Sequence, residues 1–111
     1  MSGFDDINLT DSGSTAKIAA YTFTANDFVV HVDATAGAFS VTLPAASAAL
    51  AGRQYYMVQN TSTANQVTIK SGGGTVNGAA AGTGTAVTGS KIGVVNILCD
   101  GTNWYFGFAA S

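Results

Sequence analysis

Charge is what the 111-residue chain has least of: only 9% of its residues are charged, against about 25% in an average protein. Glutamate is absent, and the cations Lys17, Arg53, Lys70 and Lys91 stand far apart. A nucleic-acid binder needs a basic stripe that displaces counterions from phosphates. Four scattered cations and a net charge of -2 exclude nucleic acid as the main partner. Cysteine occurs once, at Cys99, so no disulfide can form within the chain. Histidine occurs once, at His31, which leaves a metal site short of donors. There is no apolar run of about 18 residues, so no membrane-spanning helix is expected. The opening MSGFDDINLTD has neither the basic start nor the apolar stretch of a secretory signal. The expectation is a product made in the cytosol of its cell.

Hydrophobic residues are plentiful at 47%. A domain of this length buries roughly two thirds of the surface its unfolded chain exposes, so one core needs no metal or disulfide. With so thin a charge coat, part of the surface is expected to be covered in an assembly, although Ser, Thr and Asn also keep a surface wet.

Most of that apolar content is spaced with period two. Phe28, Val30 and Val32 alternate with Val29, His31 and Asp33. Phe39, Val41 and Leu43 alternate with Ser40 and Thr42. The same rhythm marks Tyr21 and Phe23, then Val67 and Ile69, then Val95, Ile97 and Cys99, and finally Trp104, Phe106 and Phe108. Successive strand side chains point to opposite faces, so each run predicts a half-buried strand. Cys99 falls on the core face of its run. Trp104 and Tyr105 project to opposite faces, one in the core and the other in an interface or on a sugar ring. Asp100-Gly101-Thr102-Asn103 lies between two runs and predicts a tight hairpin, and Asn77-Gly78 predicts another turn. Pro44, Ala45–Ala51 and Gly52 predict one helix of at most two turns. The fold class expected is all-β: an antiparallel β-sandwich or a jelly-roll-like small barrel, with at most one short helix and an N-terminal arm. Residues 1–16 form that arm, with apolar points Phe4, Ile7 and Leu9 beside Asp5 and Asp6. Residues 17–111 form a single β-sandwich domain. A terminus of this kind either frays or docks on a neighbour.

The stretch IKSGGGTVNGAAAGTGTAVTGSK, residues 69–91, is glycine-rich and ends in lysine, as phosphate-binding loops often do. A P-loop needs Lys directly after its last Gly, then Ser or Thr. Here Ser90 separates Gly89 from Lys91, and Ile92 follows. The dinucleotide fingerprint G-x-G-x-x-G fails at both Gly72 and Gly82, and no helix follows either. Asp6–Asp11 begins like a calcium loop, but Asp11 stands where that loop needs Gly, and no closing Glu exists. No G-x-S-x-G elbow presents a serine nucleophile. No catalytic, cofactor-binding or metal-binding residues are assigned, and the chain is not expected to be an enzyme.

The order of four pieces carries a resemblance. FVVHVDATAGAFSVTLP, AGRQYYMVQNTSTANQVTI, GTVNG and LCDGTNWYF follow one another across roughly residues 21–106. In this order they resemble a β-domain of tailed-bacteriophage virion proteins, found in head and tail fibres and capsid-associated proteins. The segment Ala79–Lys91 is richer in Gly and Ala than that pattern, and Tyr55-Tyr56-Met57 replaces a simpler β-branched strand. The resemblance implies a structural virion protein. At 111 residues, with no long shaft, a whole protein of this type is expected to be a capsid decoration (cement) protein. It would be made in the bacterial cytoplasm, form homotrimers on the capsid surface and bind the major capsid protein. Phe4, Asp5, Asp6, Ile7 and Leu9 are the expected capsid contacts, and Tyr56, Trp104 and Tyr105 the core or interface aromatics. The alternative is a fibre or spike tip that binds a host-surface glycan. Neither membrane nor nucleic acid is an expected partner.

Overall fold

A computed structural model describes residues 16–24, 27–60, 64–87 and 92–108. Among the described residues, eight strands form two four-stranded sheets. They are β1 (Tyr21–Thr22), β2 (Val29–Val32), β3 (Phe39–Leu43), β4 (Gln54–Gln59), β5 (Val67–Ser71), β6 (Thr85–Val87), β7 (Gly93–Cys99) and β8 (Trp104–Phe108). The first sheet has the order β1-β3-β5-β6 and the second β2-β4-β7-β8. Their apolar faces share one core.

The expected β-architecture is present, but the sheets are mixed rather than antiparallel. β1 with β3, β3 with β5, and β2 with β4 are parallel, while β5–β6, β4–β7 and β7–β8 are antiparallel. The cause is the path of the chain. From β1 to β5 each strand lies in the opposite sheet from the one before it, so strands two apart return to the same sheet in the same direction. Period-two patterning is the same for both pairing modes, which is why the sequence did not separate them.

Alternation places the core as expected. Val30, Val32, Val41, Leu43, Val67, Ile69, Val95, Ile97, Cys99 and Trp104 are all buried. Tyr55 and Met57 join them from β4. Phe23 meets Tyr55 edge-on at 4.9 Å, and Tyr55 packs tilted on Trp104 at 5.8 Å. Burying one such aromatic removes roughly 150–250 Å² from water, which at about 25 cal/mol per Å² contributes about 4–6 kcal/mol before entropy is counted. The indole N–H of Trp104 donates to the Pro44 carbonyl at 2.9 Å, so the largest core side chain leaves no polar atom unpaired.

The expected helix is reduced to a single 3-10 turn, Ala48–Leu50. The segment before it is committed elsewhere. Gly72 N–H donates to Leu43 O, Ala46 N–H donates to Gly73 O, and Pro44 O accepts from Trp104. Too few residues remain for a second turn. Gly52 follows at φ +85, a left-handed conformation suited to glycine, and its N–H reaches Cys99 O. None of the helical residues described is long and apolar enough to cross a membrane.

Candidate interaction surface

Both outermost strands of the second sheet are covered by segments that pair with them. At the β2 edge, Lys17 N–H donates to His31 O, and Asp33 N–H donates to Lys17 O, forming a parallel bridge between Lys17 and Val32. At the β8 edge the glycine-rich stretch does the same work. Trp104 N–H donates to Thr75 O, and Asn77 N–H donates to Trp104 O. The next outward backbone groups, those of Phe106, meet the side chain of Asn77. Phe106 N–H donates to Asn77 Oδ1 at 2.9 Å, and Asn77 Nδ2 donates to Phe106 O at 3.1 Å. One side-chain amide thus stands in for one peptide unit of an absent strand.

Local chemistry holds Asn77 there. Val76 and Ala79 exchange backbone hydrogen bonds around a two-residue turn. Asn77 and Gly78 both have positive φ, +48 and +87, as a type I′ turn requires. Gly74 permits the approach to the hairpin, since a Cβ there would lie 2.4 Å from Thr102 O. The hairpin itself is fixed by Asp100, whose carboxylate accepts from Thr102 N–H at 2.9 Å and Asn103 N–H at 2.8 Å. These backbone donors, Asn103's first, hold the Asp100 carboxyl below its ordinary value. Asn103 Oδ1 in turn accepts from Thr75 N–H, tying hairpin to glycine stretch. The stretch that looked like a phosphate loop is therefore an edge cover.

The outer face of the second sheet is broad and uncharged. One cross-sheet row is Val29, Tyr56, Asn96 and Gly107; a second is His31, Val58 and Val94; a third is Gln54, Leu98 and Tyr105. No Asp, Lys or Arg lies in these four strands. Tyr56 is half-buried and meets Phe28 edge-on at 5.2 Å. Leu98 and Tyr105 are exposed cross-strand partners. The first sheet presents Thr22, Ser40, Thr42, Thr68 and Lys70 instead, a hydroxyl-rich face with a cation.

One end of the sandwich holds a buried carboxylate. Asp27 accepts from the Tyr21 hydroxyl at 2.6 Å and from Thr24 N–H at 2.8 Å. Arg53 donates to the Asp27 backbone carbonyl at 2.6 Å and lies over the Tyr55 ring, 4.6 Å from its centroid. Burial and then the Asp27 carboxylate push Tyr21 up to about 12. Burial likewise raises Tyr55, against the pull of Arg53. The groups here serve each other.

Of the residues expected to matter, Trp104 belongs to the core and Tyr105 to the outer face, on opposite sides of β8 as the alternation required. Tyr56 lies on the same outer face as Tyr105. Phe4, Asp5, Asp6, Ile7 and Leu9 lie outside the described residues. His31 Nδ1 is 2.9 Å from Asn60 Oδ1. Cys99 is buried, with Gly101 N–H directed at its sulfur. Among the described residues no three His, Cys, Asp or Glu gather as metal ligands would. The edge-covering role of Asn77 was not read from the sequence, where Asn-Gly signalled only a turn. No protein-family model, curated protein or solved structure matches the chain.

Proposed function

We propose that the chain is a structural virion protein of a tailed phage and not an enzyme. In this reading it is a capsid decoration protein that trimerises on the shell and bridges capsomers through contacts with the major capsid protein. The order of the four sequence pieces is the ground for the virion assignment. The observation that carries the binding role is the broad, uncharged outer face of the second sheet, set between two covered edges. Such a unit offers surface for contact and little for chemistry. Cementing requires only area buried across a joint and multiplied over many copies, at roughly 25 cal/mol per Å² less several kcal/mol of lost freedom per association. Linking three copies raises the avidity of each arm. Residues 2–16, with Phe4, Ile7 and Leu9, are assigned to the capsid contact.

The test mixes purified protein with undecorated shells and, separately, with host cells. Binding to shells that saturates at a fixed ratio to capsomer joints, and falls on deletion of residues 2–16, supports the reading. Binding to cells that a sugar competes away, with none to shells, replaces it with the fibre-tip alternative.

A further inference from the structure

Asn77 is the one asparagine of the chain followed by glycine. That pair carries chemistry as well as turn geometry. Glycine has no side chain to shield its backbone nitrogen, so that nitrogen can reach the side-chain amide of the residue before it. Both parties are accessible here: Asn77 and Gly78 are exposed, and a Cβ built on Gly78 would meet nothing within 4 Å. The Gly78 N–H has no acceptor among the described residues. The amide itself is occupied. Its oxygen accepts from Phe106 N–H at 2.9 Å, and its nitrogen donates to Phe106 O at 3.1 Å. An amide bonded through both atoms to the neighbouring strand is turned toward that strand, and closure onto Gly78 requires that it leave.

We propose that Asn77 is a site of spontaneous deamidation which the native edge cover holds back, and that the reaction, once it occurs, keeps the edge open. In the released turn the Gly78 nitrogen gives its proton to solvent and attacks Asn77 Cγ. The new N–C bond closes a succinimide ring. The Cγ–Nδ2 bond breaks, and that nitrogen takes a proton from water and departs as ammonia. Water then adds to one of the two ring carbonyls and reopens the ring, leaving aspartate or isoaspartate at position 77. The net change is one water consumed and one ammonia released, with nothing oxidised or reduced. Neither product restores the cover. Aspartate still accepts from Phe106 N–H, but an oxygen replaces the donor that stood 3.1 Å from Phe106 O, so two acceptors face each other. Isoaspartate adds a methylene to the main chain inside the turn between Val76 and Ala79, and so breaks their hydrogen-bond exchange. Either way the Phe106 backbone groups are left for another strand to pair with. A brief opening of this edge is thereby made permanent.

The sequence supplies the assay. Trypsin cuts after Lys70 and Lys91, and in the peptide 71–91 between them Asn77 is the only Asn, Gln or Asp. A mass gain from amide to acid in that peptide therefore reports Asn77 alone. Full-length protein is incubated at mildly alkaline pH, native and in unfolding guanidinium chloride, and sampled over time. Deamidation is expected in both. It is expected to be slower in the native protein by about fivefold or more, because the two bonds to Phe106 are together worth about 1 kcal/mol and about 1.4 kcal/mol is tenfold. Asn77→Asp reproduces one product and tolerates the left-handed backbone as Asn does. It is expected to unfold at lower urea than the wild type and to aggregate faster on heating. The wild-type comparison stands whether or not that variant folds. Equal rates in native and unfolded protein overturn the protection, and an unfolded chain that keeps its amide overturns the site. An Asn77→Asp variant with the wild-type midpoint and no added aggregation overturns the claim that the reaction opens the edge.

Discussion

Replacing Asn77 by Ala tests the edge cover directly. Two effects add. The side-chain amide makes two hydrogen bonds to Phe106, at 2.9 and 3.1 Å, both exposed to solvent. Each is worth about 0.5–1.5 kcal/mol, and solvent places these at the low end, about 1 kcal/mol together. Asn77 also holds φ +48, where a residue other than Gly or Asn costs about 1–2 kcal/mol. The expected loss for Asn77→Ala is therefore about 2 kcal/mol. Asn77→Gly separates the two: it keeps the left-handed backbone and loses only the amide, so about 1 kcal/mol or less is expected. Urea unfolding at one fixed protein concentration measures both. With a slope of about 1–3 kcal/mol per molar, 2 kcal/mol lowers the midpoint by roughly 0.7–2 M. Removing the amide also opens a strand edge to pairing with other chains, so faster aggregation on heating is expected in both variants. Wild-type midpoints in both, with no added aggregation, would refute the claim that Asn77 closes this edge.

Three further outcomes follow from the same geometry. Gly84→Ala places a Cβ 2.3 Å from Ile69 O at φ +66, so a loss above about 3 kcal/mol is expected in the same urea titration. Trp104→Phe strands the Pro44 carbonyl and leaves a void, with an expected loss of about 2–4 kcal/mol and a matching fall in melting temperature. Tyr21 is raised from 10.0 to about 12 in the fold, so its contribution is present in full below pH 10 and is lost as pH rises through about 12. Alkaline unfolding followed by circular dichroism should therefore steepen across that window, and Tyr21→Phe should flatten it.

Much of this fold was legible in the sequence, and what was not has physical causes. The runs at Val29–Val32, Phe39–Leu43, Val67–Ser71, Gly93–Cys99 and Trp104–Phe108 alternate because one face is buried and the other is not. β4 does not alternate cleanly, since Tyr56 finds Phe28 on the outer side while Tyr55 and Met57 fill the core. It was expected only from the resemblance. β6 is three residues long in a glycine- and alanine-rich stretch, too short to show a period. Parallel pairing left no local trace, because it arises from successive strands changing sheets. Part of the surface was legible: the alternation put Tyr105 opposite Trp104. That exposed Leu98 stands opposite exposed Tyr105 depends on register between two strands, which no single stretch encodes. The same holds for Asn77, whose partner Phe106 is 29 residues away.

The central proposal is that this protein works by contact on a phage shell. Co-sedimentation of the purified protein with undecorated phage shells tests that most directly. Saturable binding is expected at a fixed whole-number ratio to capsomer joints, with shells that resist heat better when occupied. Shells that pellet without the protein at saturating concentration would contradict it.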